Sequence, residues 1–388
     1  GAQDTVSNRI LYVGNDFEIY TISPDGSDPL KLTDERRVYT WPTWSPSGRR
    51  VAFSSFSLDP FGPGKAIYSV DAAGGGLNLI FENAPDSGPA VGPRIPHYSL
   101  WSPDGEHVAF LAMSERTLSL YLVSASGQEK AQILANGAPL YLAWSNDSQS
   151  LLVHRQGELL RVDIEAPDRP LNLEAQSSGY RAPAWSPTSD AIAFLAADEG
   201  GETLYVARFD GSRRRALARL QGMASFLWAP QGNRLAIGQS SDGNDPFLQD
   251  IQVIDVTTGE ILPLVQRPIL AFFWSPDGSR VAYVTTNIEE TALQWRVVEV
   301  RTGQDTELVD FHPSPDQLTL LAYFDQYAYS HQVWSPDSSR LVFAGALAEG
   351  AVPGDEEAPI SQIFVLDAEG NAPVQAIAPG LLASWSMR

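Results

Sequence analysis

Arg, His and aromatic residues gather at one recurring place in this chain, the few positions ahead of a repeated Trp. The set comprises Arg36, Arg37, Tyr39 and Trp41 before Trp44; Arg94, His97 and Tyr98 before Trp101; and Tyr141 before Trp144. It continues with Tyr180 and Arg181 before Trp185, Phe226 before Trp228 and Phe272 before Trp274. Before Trp334 it lengthens into Tyr323, Phe324, Asp325, Gln326, Tyr327, Tyr329 and His331. Guanidinium groups hold carboxylates through paired hydrogen bonds, and aromatic rings flank or stack on what is held. These residues are therefore candidates for binding an anionic or peptide-like ligand. The competing reading is a plug whose polar members satisfy one another.

Other chemistry is weakly signalled. His331 and His97 stand three and four residues before their Trp residues and, with Asp325, suggest a metal or acid-base group, but they share no ligand spacing. Asp242-Gly-Asn-Asp245 with Asp250 superficially suggests Ca²⁺, yet the twelve-residue loop pattern with its terminal Glu is missing, and a polar loop is the plainer reading. The residues point to no cofactor. With no Cys in the chain, thiolate chemistry and disulfides are excluded. No Gly-x-Ser-x-Gly nucleophile elbow occurs.

The elements that must position these side chains follow from the Trp repeat itself. Trp44-Ser-Pro-Ser-Gly, Trp101-Ser-Pro-Asp-Gly, Trp144-Ser-Asn-Asp-Ser, Trp185-Ser-Pro-Thr-Ser, Trp228-Ala-Pro-Gln-Gly, Trp274-Ser-Pro-Asp-Gly and Trp334-Ser-Pro-Asp-Ser are spaced by 57, 43, 41, 43, 46 and 60 residues. Trp385-Ser386 follows after 51 more. This is the period of a four-stranded propeller blade with insertions. After each turn comes an apolar strand such as His107-Val-Ala-Phe110 or Arg280-Val-Ala-Tyr283, then a second such as Ile67-Tyr-Ser-Val-Asp71, separated by Asp-Gly and Ser-Gly turns. Helix-period stretches are lacking, except that Leu318 to Tyr323 suits a short helix. The repeated Trp residues and the turn Asp residues read as structure, packing neighbouring blades and capping their own backbones.

The two ends complement each other. Residues 9 to 33 supply the later strands of a blade without its Trp strand, and residues 381 to 386 supply a Trp strand alone. The expectation is an all-β, eight-bladed β-propeller of four-stranded antiparallel blades, the C-terminal strand completing the first blade and leaving no open edge. It forms one domain over 1–388, with blades near 9–33 plus 381–386, 40–82, 97–135, 140–174, 181–220, 225–265, 270–310 and 329–378. The long excursions, 54–65, 83–97, 240–250, 286–294, 310–331 and 346–361, are expected on one face, where loops on a rigid scaffold commonly bind.

Composition bounds the partners. Forty-seven acidic against 26 basic residues give a formal charge of -21, which repels nucleic acid and anionic membrane surfaces. No window is long and apolar enough to span a bilayer. The start, Gly1-Ala2-Gln3-Asp4, reads as trimmed and is compatible with export.

Trp-Ser-Pro-Asp-Gly followed by Val/Ile-Ala-Phe and Ile/Leu-Tyr-x-Val-Asp resembles the repeat of the TolB-like propellers, and is similar to that of the propeller domains of prolyl oligopeptidase and dipeptidyl peptidase proteins. The likeness covers residues 9 to 388. It implies a bacterial, extracytoplasmic module, periplasmic, secreted or membrane-anchored, that binds a protein or peptide; a monomer is expected. Two departures stand beside it: TolB has six blades and an extra amino-terminal domain, and the peptidases add an α/β-hydrolase domain. No catalytic residue is carried over. The alternatives are a glycan lyase or hydrolase with its site at the channel mouth, or the propeller domain of a larger receptor or protease.

Overall fold

A computed structural model describes residues 8–33, 37–56, 65–82, 97–114, 117–199, 201–240, 245–287, 289, 291–348 and 360–387. Short strands and tight turns fill nearly all of it, as the repeat requires: it is a multi-bladed β-propeller built from four-stranded antiparallel sheets. The chain divides into two compact units. The first holds Gly1–Asn136, Asp310–Leu320 and Tyr327–Arg388, and the second Gly137–Val309 and Leu321–Gln326.

In the first unit, Val38–Trp44, Arg50–Phe56, Ala66–Asp71 and Asn78–Glu82 form one sheet in chain order. His97–Trp101, His107–Ser114, Thr117–Ser124 and Gln132–Asn136 form the next. The termini share a third sheet. Leu382–Trp385 pairs antiparallel with Ile10–Val13, setting Trp385 opposite Ile10 and Leu382 opposite Val13, and Ile19–Ile22 and Leu30–Lys31 follow. Around this pairing, Arg9 and Ser386 exchange backbone and side-chain hydrogen bonds, and the Trp385 indole donates to Asn8 Oδ1 at 2.9 Å. The C-terminal strand thus completes the first sheet.

The second unit repeats the plan. Its sheets begin at Leu140–Trp144, Ala184–Trp185, Met223–Trp228 and Ala271–Trp274. The last runs on through Asp305–Pro313, whose final residues pair, within the first unit, with Arg340–Leu347. There the Trp strand shrinks to a single bridge between Trp334 and Leu341.

The motif owes its recurrence to hydrogen bonds made twice over. In the turns after Trp101, Trp144, Trp274 and Trp334, the Ser hydroxyl donates to the Asp carboxylate two residues on and accepts the amide five residues on. Ser102 with Asp104 and His107, Ser275 with Asp277 and Arg280, and Ser335 with Asp337 and Arg340 show the pattern at 2.5–3.0 Å. The fifth position is left-handed, as at Gly105 with φ 76° and Gly278 with φ 69°. A Cβ is disfavoured there, which explains the Gly. Between sheets, the Trp indole donates to the carbonyl just before the preceding Trp: Trp101 to Thr43 at 3.2 Å, Trp228 to Ala184 at 3.3 Å and Trp274 to Leu227 at 3.1 Å. The repeated Trp residues are packing elements that also fix the neighbouring strand.

One insertion is fully described. Ser314 caps helix α1 (Pro315–Ala322), its hydroxyl accepting the Gln317 amide at 3.0 Å, with Pro315 at the first helical position. The helix therefore begins three residues before the expected Leu318 and ends before Tyr323. A second short helix, α2, spans Phe324–Tyr327. Of the other long excursions, 54–65, 83–97 and 346–361 lie largely outside the described residues, and 240–250 and 286–294 in part.

Candidate functional site

The residues ahead of the Trp repeats separate into two local groups, and burial distinguishes them. In the first unit, Trp41 and Tyr98 both adopt left-handed backbone, φ 51° and 67°, at bulges in their strands. For bulky side chains this conformation is costly, of the order of 1–3 kcal/mol each. It brings both rings onto Tyr327: Trp41 stacks at 4.9 Å, and Tyr98 meets it edge-on at 5.4 Å. His331 closes the group at 5.8 Å from Trp41 and 5.4 Å from Tyr327. All four are buried. The His331 Nδ1 bonds the Ser330 hydroxyl at 2.8 Å, while Nε2 faces the Pro42 carbonyl without a well-formed hydrogen bond. Burial pushes this imidazole down to about 3. It is a neutral ring sealed among aromatics. Tyr39 stays apart, packed edge-on against Phe53 and Tyr68 of its own sheet.

The second unit holds the charged group. Arg181 follows a stretch fixed on both sides: Tyr180 bridges to Ala224, and the Arg181 carbonyl lies 2.7 Å from His154 Nδ1. Its guanidinium donates from Nε to Asp325 Oδ2 at 3.3 Å and from Nη1 to the Ala322 carbonyl at 2.7 Å, and lies over the Tyr323 ring at 5.1 Å. Asp325 is almost sealed, with 1% of its side chain exposed against 23% for Arg181. Ser225 donates to the same Oδ2 at 3.0 Å, while Oδ1 has no partner. Phe324 anchors this turn by packing on Phe272 at 4.6 Å and Phe273 at 6.0 Å. Tyr323, by contrast, is 44% exposed. A cation held from two sides against an exposed aromatic face can receive an anion or a hydrogen-bond acceptor at low ordering cost.

Around it, His154 stacks on Tyr180 at 4.1 Å and near Tyr141 at 6.2 Å. Its Nε2 lies 3.0 Å from the Ser177 carbonyl, and burial pulls its pKa below the ordinary value. A neutral ring donates to only one of the two carbonyls. Burial raises the Tyr141 phenol, which therefore stays protonated; the charges of Arg181 and Asp325 act on it.

Of the expected residues, the structure thus unites Trp41, Tyr98, Tyr327 and His331 in one unit and Arg181, Asp325 and Phe324 in the other, with Tyr141 beside the latter. Gln326 is buried. Arg36, Arg94 and the His97 side chain lie outside the described residues, as does Asp242. Asp245 Oδ1 accepts the Phe247 amide, and Asp250 Oδ2 the Gln252 side chain at 2.6 Å. Among the described residues no three His, Asp or Glu side chains gather to hold a metal ion. Ser225 and His154 were missed by sequence reasoning. Ser225 carries the same signal as the rest, standing three residues before Trp228; His154 lies on a second strand and carries none.

Comparison with known proteins agrees on the fold. A family model described as the lipoprotein LpqB beta-propeller domain matches residues 157–314. The Tol-Pal system protein TolB of Gluconobacter oxydans is 27% identical over 241 residues, covering 60% of this chain and 50% of that protein. Dipeptidyl-peptidase 5 of Porphyromonas gingivalis is 22% identical over 324 residues, covering 74% of this chain and 42% of that protein. The chain thus spans half the length of these curated relatives, or less. Among solved structures, an oligogalacturonate lyase in complex with manganese superposes with a TM-score of 0.56 at 15% identity, covering 92% of this chain and 95% of that one. The chain is a β-propeller similar to TolB.

Proposed function

We propose that this chain is a binding module that presents the Arg181–Tyr323 surface of its second unit to a protein or peptide partner outside the bacterial cytoplasm. One observation carries the reading: an exposed Tyr lies against an Arg whose guanidinium is already oriented by Asp325, Ser225 and the Ala322 carbonyl. Tyr and Arg dominate the binding energy of protein interfaces, most of all where their side chains are ordered before contact. Location rests on likeness, since the matching family model is named for a lipoprotein and the TolB relative for the Tol-Pal system. Among the described residues no helix is long and apolar enough to cross a membrane. Eight Trp repeats and the pairing of the two termini support eight blades in one domain.

A glycan lyase or hydrolase is the second reading, and it rests on the likeness to the oligogalacturonate lyase structure. Chain length against the dipeptidyl-peptidase relative also leaves room for a larger parent protein.

The test is affinity capture from envelope extracts with the purified chain and its Tyr323→Ala variant, alongside oligogalacturonate turnover. Partners retained by the parent and lost by the variant support the binding reading. Turnover abolished by Asp325→Asn would replace it with the enzymatic one.

A further inference from the structure

We infer that Arg181 and Tyr141 together form a receptor for a carboxylate group of the peptide partner, an inference that rests on the binding reading above. Among the described residues, two hydrogen-bond donors here are without protein partners. Arg181 commits Nε to Asp325 and one Nη1 proton to Ala322; among the described residues nothing accepts from Nη2. The Tyr141 hydroxyl likewise has no protein partner, is not sealed from solvent, and lies where Arg181, Asp325 and Tyr323 act on it. The guanidinium edge and the phenol are thus two donors on residues that both contact His154.

Both donors are held by one residue. His154 packs against the Tyr141 ring and lies within hydrogen-bond reach of the Arg181 carbonyl, so it contacts the strand carrying Tyr141 and the bend carrying Arg181. His154 is thus a positioning residue. The guanidinium carbon lies over the Tyr323 ring at 5.1 Å, and the Nη2 donor is the one a carboxylate fork would engage.

Charge selects the ligand. Arg181 already shares its charge with Asp325, in a chain of net charge -21, so a phosphate dianion meets more repulsion than attraction. A carboxylate brings a single delocalised charge and two coplanar oxygens. The exposed Tyr323 ring offers apolar surface to the methylenes of a Glu side chain or to the last residue of a peptide. The carboxylate can therefore be a side chain or a chain terminus.

The probes are N-acetyl-Ala-Glu-Ala-amide, its Gln counterpart, N-acetyl-Ala-Ala-Ala with a free terminal carboxylate, and digalacturonate, titrated into the full chain and followed by calorimetry and by NMR of the Arg side-chain Nε–H signals. The expected result is that one carboxylate peptide binds at least tenfold more tightly than the Gln peptide. Tyr141→Phe should weaken it about threefold, and Arg181→Lys, which keeps the charge near Asp325 but lacks the fork, about tenfold. Comparing Glu with free-terminus peptides tells which carboxylate is read.

Equal binding of Glu and Gln peptides, or indifference to both variants, overturns the inference, and binding of digalacturonate alone overturns the peptide source. If Tyr323→Ala abolishes partner capture while the peptides show no carboxylate preference, only the inference fails. If the carboxylate preference holds and capture is indifferent to Tyr323, only the reading it rests on fails.

Discussion

Replacing Arg181 by Met isolates the energetics of the charged group. The guanidinium and the Asp325 carboxylate approach to 3.3 Å. Two unit charges at that separation attract by about 5 kcal/mol at an effective dielectric of about 20, before the cost of removing them from water is subtracted. Met keeps the aliphatic stem and removes the charge. What remains is a carboxylate, 1% exposed, with only the Ser225 hydroxyl bonded to it. Breaking a buried pair from one side typically costs 3–5 kcal/mol; because Arg181 keeps some contact with solvent, about 3 kcal/mol is expected here. Asp325→Leu in the same background removes the stranded charge, so Arg181→Met/Asp325→Leu should recover about 1.5 kcal/mol or more relative to the sum of the single changes. Urea denaturation, followed in parallel by Trp fluorescence and circular dichroism, gives the comparison through midpoints at constant slope. The reasoning is refuted if Arg181→Met costs under about 1 kcal/mol, the behaviour of an exposed pair, or if the two changes simply add.

The remaining expectations concern scaffold and pH. Trp101→Phe removes the indole donor and leaves the Thr43 carbonyl without that bond, so a loss of about 1–2 kcal/mol in the same denaturation assay is expected, more than the shape change alone explains. Gly105→Ala places a Cβ at φ 76° with Pro46 Cδ at 4.0 Å, an ordinary contact, so the cost, about 1 kcal/mol, should be conformational and Gly105→Asn should recover part of it. His331 is a base whose folded pKa, about 3, lies below its unfolded value of about 6.5. Its neutral form is favoured by folding, so stability is full above about pH 6.5 and declines as pH falls toward 3. NMR should show its ring signals unshifted from pH 8 to 4.5, and titration near 6 refutes the sealed-ring description. Asp337 is the opposite type, an acid held down to about 2 by the hydroxyls of Ser335 and Ser339. Its contribution is present above about pH 4 and fades toward 2, and Asp337→Asn should flatten the stability profile in that window only.

The repeat was legible because each copy carries its own local logic. Trp, turn and strand lie within a dozen residues, so the order of strands, and even the return of Leu382–Trp385 to Ile10–Val13, followed from counting which strands each end lacked. The Ser after Trp101 and Trp274 is equally visible in the sequence, but its bond to the Asp two residues on is not, since Asp and Gly alone account for a turn. The candidate site was legible only in part. Position ahead of the Trp found Arg181 and Asp325, but nothing in the sequence pairs residues 144 positions apart. Asp325 and His331 looked like partners because they share one short stretch. Instead Asp325 turns to Arg181 and Ser225, and His331 to Trp41 and Tyr327.

That divergence separates structure from function within one residue class. Trp41, Tyr98, Tyr327 and His331 are the sort of side chains that bind ligands, but they are buried and satisfy one another through ring contacts, and two of them accept strained backbone to do so. Such strain persists only where packing over-determines it, and here the Tyr327 ring supplies the packing. Arg181, Tyr141 and Tyr323 show the reverse pattern, with donors left over, exposed aromatic surface and a backbone fixed from both sides by neighbouring strands. A propeller sheet is well suited to this division, because its interior hydrogen bonds are complete within the blade and the residues entering each Trp strand are free to vary. Within the second unit, Phe324 packed on Phe272 holds the turn that sets Asp325 where it orients the Arg181 guanidinium.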